Sequence, residues 1–391
     1  MNPYYFDWAA TSPMSERSIQ AYTDTVRSYR GNPSALHKEG VEAAKFLAQE
    51  RKKSASLLKV SSKQIVYTSG ATESNSIVLQ SLLWRRSPGR IIISAIEHDS
   101  ILQYRRLLEN KGFEVILLKA PKGYVDPEAL AQVLDNKTQM VCIMQVNNVL
   151  GTVQDIPSIA KTIRAFEQTT GRSIHIHCDA VQAVGKIPFD LSSLDIDSAS
   201  FSAHKFQGPK GTGILYLKSG NLEPLSRGGN QENGYRAGTE NIGAIAAMNT
   251  ALADSIAAID TTYAHALTLR THLESNLLKH GDRFSLLSPS TTCGLPFAPS
   301  ILSVAVKGIP SEVFTRVMYD RGFCISSGSA CSNNAPKKGE GILAGASITP
   351  EDAASAIRIS FGPDTQITQI DELSATLVRQ AALMGSLIRK R

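Results

Sequence analysis

Between residues 61 and 216 the chain alternates short apolar runs with stretches of helical composition, and this order restricts the fold more than any other feature. The runs fall at 64–67, 90–94, 114–119, 140–145, 173–177, 198–202 and 213–217. The segments 74–84, 100–110, 127–133 and 157–167 between them have helical composition. Strands separated by helices join side by side in one direction, so the expectation is an α/β fold. It has a mostly parallel seven-stranded sheet flanked by helices on both faces. Ligands of such sheets gather at the carboxyl ends of the strands. Residues 241–278 are Ala-rich and read as one long helix or two consecutive ones. Beyond them, 300–306, 322–326 and 356–360 look like strands and 369–387 like a closing helix. A large domain over 14–258 and a smaller α/β domain made of 1–13 with 259–391 follow.

Composition narrows the class. Hydrophobic residues make up 42% of the 391 and charged residues 19%, which excludes a largely disordered chain. The net charge of +6 is spread thinly. Tight clusters such as Arg85-Arg86 and Arg389-Lys390-Arg391 fall short of a nucleic-acid stripe, so no direct nucleic-acid partner is expected. Five cysteines at irregular spacing, with no CxxC, argue against a disulfide framework or a structural zinc site and favour a reducing compartment. No basic region followed by an apolar run opens the chain, and no apolar stretch reaches membrane-spanning length. A cytoplasmic protein without a membrane partner is expected.

Five segments carry chemistry. Thr68-Ser69-Gly70-Ala71-Thr72-Glu73 lies between a strand and a helical run, where small residues and free helix-start N–H groups can wrap an anion; Thr-Ser-Gly also makes ordinary caps. In His175-Ile176-His177-Cys178-Asp179 the odd positions share one face of a strand. That face could bind a metal, or Asp179, ending the strand, could hold a heteroaromatic ring nitrogen protonated. Lys205 follows the small-residue strand 198–202 and precedes a glycine-rich turn, with Ser202 and His204 beside it as candidate phosphate donors. An exposed lysine on a Gly/Pro hairpin is the other reading of this segment. Cys331, in Ser-Gly-Ser-Ala-Cys331-Ser, sits in polar company that suits a nucleophilic thiol, unlike the apolar surroundings of Cys142. Arg358 interrupts an apolar strand and must find an anion.

Taken in order, these segments resemble the cysteine desulfurases of the NifS/IscS kind, which are class V aminotransferase-fold enzymes of PLP-dependent fold type I. The likeness also takes in Tyr5–Thr11, Gly31-Asn32-Pro33-Ser34, Glu97-His98, Val146-Asn147-Asn148, Gln182 and Arg236-Ala237-Gly238-Thr239. It covers essentially the whole chain. The resemblance implies pyridoxal 5'-phosphate as cofactor and L-cysteine as substrate. Alanine would be released, and sulfur would pass to Cys331 as a persulfide for an acceptor such as an iron–sulfur scaffold or a tRNA-thiolation system. It implies that Lys205 holds the cofactor and moves the substrate α-proton, that Asp179 pairs with the pyridine nitrogen, and that His98 stacks on the ring. Gln182 would bond the ring hydroxyl. Ala71, Thr72, Ser202 and His204 would hold the phosphate, with Thr239 reaching in from the second subunit of a homodimer. Asn148 and Arg358 would bind the substrate carboxylate. Two positions depart from the family pattern: Val149 stands where Glu is usual, and 333–341 lacks the common acidic, Pro-containing continuation. The competing expectations are a selenocysteine lyase or another class V lyase and, from a different class, a metal-binding or scaffold protein using His175, His177 and Asp179.

Overall fold

The computed structural model describes residues 4–219, 222–224, 226–328 and 341–388. A short first strand, β1 (Tyr4–Tyr5), precedes two helices, Glu16–Ser28 and Lys38–Leu57, that the apolar runs do not announce. The large sheet then follows: β2 (Ile65–Thr68), β3 (Arg90–Ser94), β4 (Glu114–Leu118), β5 (Thr138–Cys142), β6 (His175–Asp179), β7 (Ser198–Ser202) and β8 (Gly213–Leu217). Their spatial order is β2-β8-β7-β6-β5-β3-β4. From β7 through β6, β5 and β3 to β4 every pairing is parallel, and only β8 runs against its neighbours. The mostly parallel seven-stranded expectation therefore holds. β2, β3 and β8 read as near-continuous apolar runs because they are buried on both faces. Ile91, Ile92, Ile93, Val141 and Ala199 are all fully buried, and each such isoleucine contributes roughly 2 kcal/mol of burial.

Boundaries differ where burial and pairing part company. The run expected at 140–145 continues apolar past the end of β5. Ile143 and Gln145 still donate backbone hydrogen bonds to the carbonyls of His177 and Asp179, without strand geometry. The expected helix 100–110 is two, Asp99–Leu102 and Tyr104–Asn110. The Ala-rich stretch is also two helices, Ile242–Ala257 and Ile259–Leu278, bent by 69°. Among the described residues no single helix is long and apolar enough to cross a membrane.

The last third builds a second sheet with its own apolar core: β9 (Phe284–Leu286), β10 (Ile301–Val306), β12 (Ser326–Ser327) and β13 (Ala356–Ser360), all antiparallel in the order β12-β13-β10-β9. The expected strand 322–326 divides. Its first part, β11 (Phe323–Cys324), pairs in parallel with β1, and after Ile325 the chain crosses to β13. The N-terminal segment is thereby tied to the smaller sheet, with a further bridge from Asp7 to Ser360. The closing helix spans Ile367–Ile388.

Candidate active site

The polar motifs converge at the carboxyl ends of β2, β3, β5, β6 and β7. At one end of this cleft Gly70 turns the chain from β2 into helix Ala71–Ser81, at φ +149°, where a side chain would be strained. β8 passes this turn so closely that a Cβ on Gly213 would lie 2.7 Å from Gly70 Cα. No side chain caps the helix, so the N–H groups that open it are free of a capping oxygen. Ala71 is buried, Thr72 exposed, and Ser202 buried at the end of β7. Burial, with the charges of Lys205, Lys186 and Lys210, pushes His204 down to about 4. A pole this electropositive suits an anion.

Lys205 lies in the connection from β7 to β8, so the hairpin alternative was right about the backbone and wrong about exposure. The side chain is half-buried, and its Nζ donates to the carbonyls of Ala9 (2.8 Å) and Ala10 (2.6 Å). Gln182 Nε2 donates to the same Ala9 carbonyl at 2.9 Å, while its buried Oε1 has no partner among the described residues. On the neighbouring strand end, Asp179 accepts from Val181 N and from Asn75 Nδ2, each at 3.1 Å. His98 starts the helix Asp99–Leu102 and accepts from the Ser100 amide at 3.1 Å. A metal on His175, His177 and Asp179 does not fit. Both nitrogens of His177 are committed, to Ser198 (2.8 Å) and Asn75 (2.9 Å), and burial pushes the ring down to about 3. Among the described residues no cluster of three or more metal-ligating side chains is present.

At the other end, β13 supplies Arg358, 4% exposed and flanked by Ser303 on β10 and Ser326 on β12. The anion it requires is Asp7, whose Oδ1 lies 2.7 Å from Nη2; Nη1 donates to the Asn148 carbonyl at 3.0 Å. The Arg358 Nε and the Asn148 Oδ1 are buried without a partner among the described residues. Asn147 holds this loop by accepting from Val149 N and Leu150 N and donating to Ile96 O. Val149 itself is buried in the main core, its carbonyl bonded by Ser303 Oγ at 2.6 Å. Thr239 is exposed, with Oγ1 3.5 Å from Asn32 Nδ2. Cys331 lies outside the described residues, as does the unusual segment through residue 340. Gly328, three positions before Cys331, donates from its backbone to Ala356 O at 2.6 Å.

Three further residues belong here. Glu97 is fully buried, accepts from Met144 N at 2.7 Å, and is pushed well above the usual carboxylate range by burial and by Asp179. Lys186 donates to the Lys205 carbonyl at 2.9 Å; burial and the Lys205 charge push it down to about 7. The third is Asp7. Glu97 had a sequence signal in its place beside His98 after an apolar run; Lys186 had none. The donor set fits a flat phosphorylated heteroaromatic group: cations and free helix N–H groups at one end, a carboxylate and an unpartnered amide oxygen along the ring.

Residues 4–373 match the family model described as Aminotransferase class-V. The chain is 40% identical over 381 residues to a "NifS/IcsS protein homolog" of Lactobacillus delbrueckii subsp. bulgaricus, covering 95% of each. It is 33% identical over 362 residues to the cysteine desulfurase IscS of Dictyoglomus turgidum, covering 92% of this chain and 89% of that one. A solved NifS-like protein superposes with a TM-score of 0.88 at 31% identity, over 97% of this chain and all of that one.

Proposed function

Since the chain belongs to the aminotransferase class-V family and is a cysteine desulfurase of the NifS/IscS kind, we propose how this cleft performs the reaction. The observation that carries the proposal is the placing of Asp179 and Lys205 at adjacent strand ends, with Arg358 of the second sheet joined to the large unit through the Asn148 carbonyl. Pyridoxal phosphate, when bound, supplies an electron sink for the bonds at the substrate α-carbon. The Gly70 turn, Ala71 N–H, Thr72, Ser202 and His204 would hold its phosphate. Asp179 would pair with its ring nitrogen, Gln182 Oε1 with its hydroxyl, and His98 would stack on the ring. Lys205 Nζ would hold the group and take the α-proton of L-cysteine.

Arg358 and Asn148 orient the substrate carboxylate. The guanidinium is already aimed by Asp7 and the Asn148 carbonyl, so little ordering cost remains when substrate enters. The Cys331 thiolate then attacks the substrate sulfur. A sulfur–sulfur bond forms on Cys331, the carbon–sulfur bond breaks with its electron pair passing to the β-carbon, and protonation there, with Lys205 returning the proton to the α-carbon, gives L-alanine. The persulfide goes on to an acceptor protein. The pairing of Ser326–Ser327 beside Arg358, a few residues upstream of Cys331 in sequence, supports attack by that thiol on a substrate held by Arg358.

A homodimer completes each cleft in this proposal, Thr239 of one subunit serving the phosphate of the other. Its exposure supports that role. So do Ile19, Tyr22 and Val26, which stand exposed at helical spacing on Glu16–Ser28. The large unit runs over 14–258 and the small one over 1–13 with 259–391, in the cytoplasm.

The test is to supply L-cysteine, alkylate, and map the label by peptide mass. Wild-type protein should carry it on Cys331 and release alanine. Cys331→Ser should bind cofactor yet carry no label and release no alanine, because a hydroxyl is a far poorer nucleophile toward sulfur. Label on Cys324, or full turnover by Cys331→Ser, would contradict the assignment. Comparing alanine release from cysteine and selenocysteine separates a selenocysteine lyase.

A further inference from the structure

Beneath Asp179 lies a buried amide that the reaction above does not use. Asn75, on helix Ala71–Ser81, is 0% exposed and spends both ends of its side chain on buried or half-buried partners. Nδ2 donates to Asp179 Oδ2 at 3.1 Å and to Ser100 Oγ at 2.8 Å. Oδ1 accepts from Ser200 Oγ at 2.5 Å and lies 2.9 Å from His177 Nε2.

Hydrogen-bond logic fixes the protons. An ionised carboxylate only accepts, so the amide nitrogen must face Asp179 and the amide oxygen must face donors. His177 therefore carries its proton on Nε2, and its Nδ1 takes the hydroxyl of Ser198 at 2.8 Å. The Ser198 oxygen then receives His175 Nε2 at 2.7 Å. On the other arm, Ser100 Oγ accepts from Asn75, so its hydroxyl turns to His98 Nδ1 at 2.9 Å. That nitrogen also accepts the Ser100 amide, which leaves the proton of His98 on Nε2.

We propose that Asn75 is a positioning residue that sets the Asp179 carboxylate and, through Ser100, the tautomer and tilt of His98, so that the two groups flanking the cofactor ring move as one unit. This rests on the cofactor assignment above. The nearest substitutes do not suit the position: Asp would press a second carboxylate on Asp179, Ala would strand three buried partners and the half-buried Ser100, and Gln is one methylene too long.

The test uses the holoenzyme and two variants. Asn75→Asp keeps the shape and reverses one donor. It should weaken pyridoxal phosphate binding about tenfold or more and shift the visible band, with the far-UV dichroism unchanged. Ser100→Ala cuts only the His98 arm. It should keep cofactor affinity within about twofold while kcat for L-cysteine falls severalfold at nearly constant KM. Asn75→Asp with wild-type affinity and band would overturn the proposal, and so would Ser100→Ala with wild-type kcat. Were Asn75→Asp not to fold, Ser100→Ala decides alone by the same criterion. A wild-type protein that never develops a visible band defeats the cofactor assignment and this inference with it; a normal wild-type band with unaltered variants defeats the inference alone.

Discussion

The floor of the cleft and its rim meet their hydrogen-bonding needs differently. On the floor, Asn75, His177, Ser198 and Ser200 are 0% exposed and bonded to one another around Asp179. At the rim, Arg358 and Asn148 are nearly as buried, yet Arg358 Nε and Asn148 Oδ1 have no partner among the described residues. Unpaired buried polar groups are costly and uncommon, and in an enzyme they collect where a ligand completes them. Those four floor side chains satisfy one another, whereas the two rim atoms suit a ligand.

That contrast breaks most sharply at Asp179. Asp179→Asn should still bind cofactor but lose turnover by about a hundredfold or more, near 3 kcal/mol in the barrier. The paired readout is the visible band against kcat for L-cysteine. Near-wild-type turnover would make Asp179 part of the packing and not of the reaction.

A rim substitution should show as binding. Arg358→Lys keeps the charge but gives up the fork that serves Asp7 and Asn148 together. KM for L-cysteine should rise about tenfold with a smaller change in kcat. An effect confined to kcat would place Arg358 among the reacting groups.

The smallest expected effect is on stability. Burial keeps His177 neutral down to about pH 3, against an ordinary value of 6.5. The unfolded chain therefore binds more protons in that interval. The His177 contribution is fully present above pH 6.5 and is lost as pH falls toward 3. Denaturant unfolding of His177→Gln should show a shallower loss over this range than wild type, by up to one proton in slope. Equal slopes would mean that the ring is not held neutral.

How far the sequence reveals all this follows the same division. β2, β3 and β8 were legible because burial on both faces forces near-continuous apolar runs. Asp179 and Lys205 were legible as charged residues placed where strands stop. β9 (Phe284–Leu286) escaped because three residues carry no period, and the split of 322–326 because nothing local tells that β11 pairs with the N-terminus. The family likeness supplied the roles of Gln182 and Asn148, whose meaning depends on contacts more than 170 residues away, with Ala9 and Arg358. Neither pattern nor likeness assigned a role to Asn75, Lys186 or Asp7. A buried amide or ion pair is identified only by what it touches.

The most direct test of a cleft built around one lysine is to load the protein with pyridoxal phosphate, reduce it with borohydride, and map the pyridoxyl group by peptide mass. The expected result is a single adduct on Lys205, and none together with no visible band in Lys205→Ala. An adduct on Lys186 or Lys210, or a Lys205→Ala protein that keeps the band, would contradict the account.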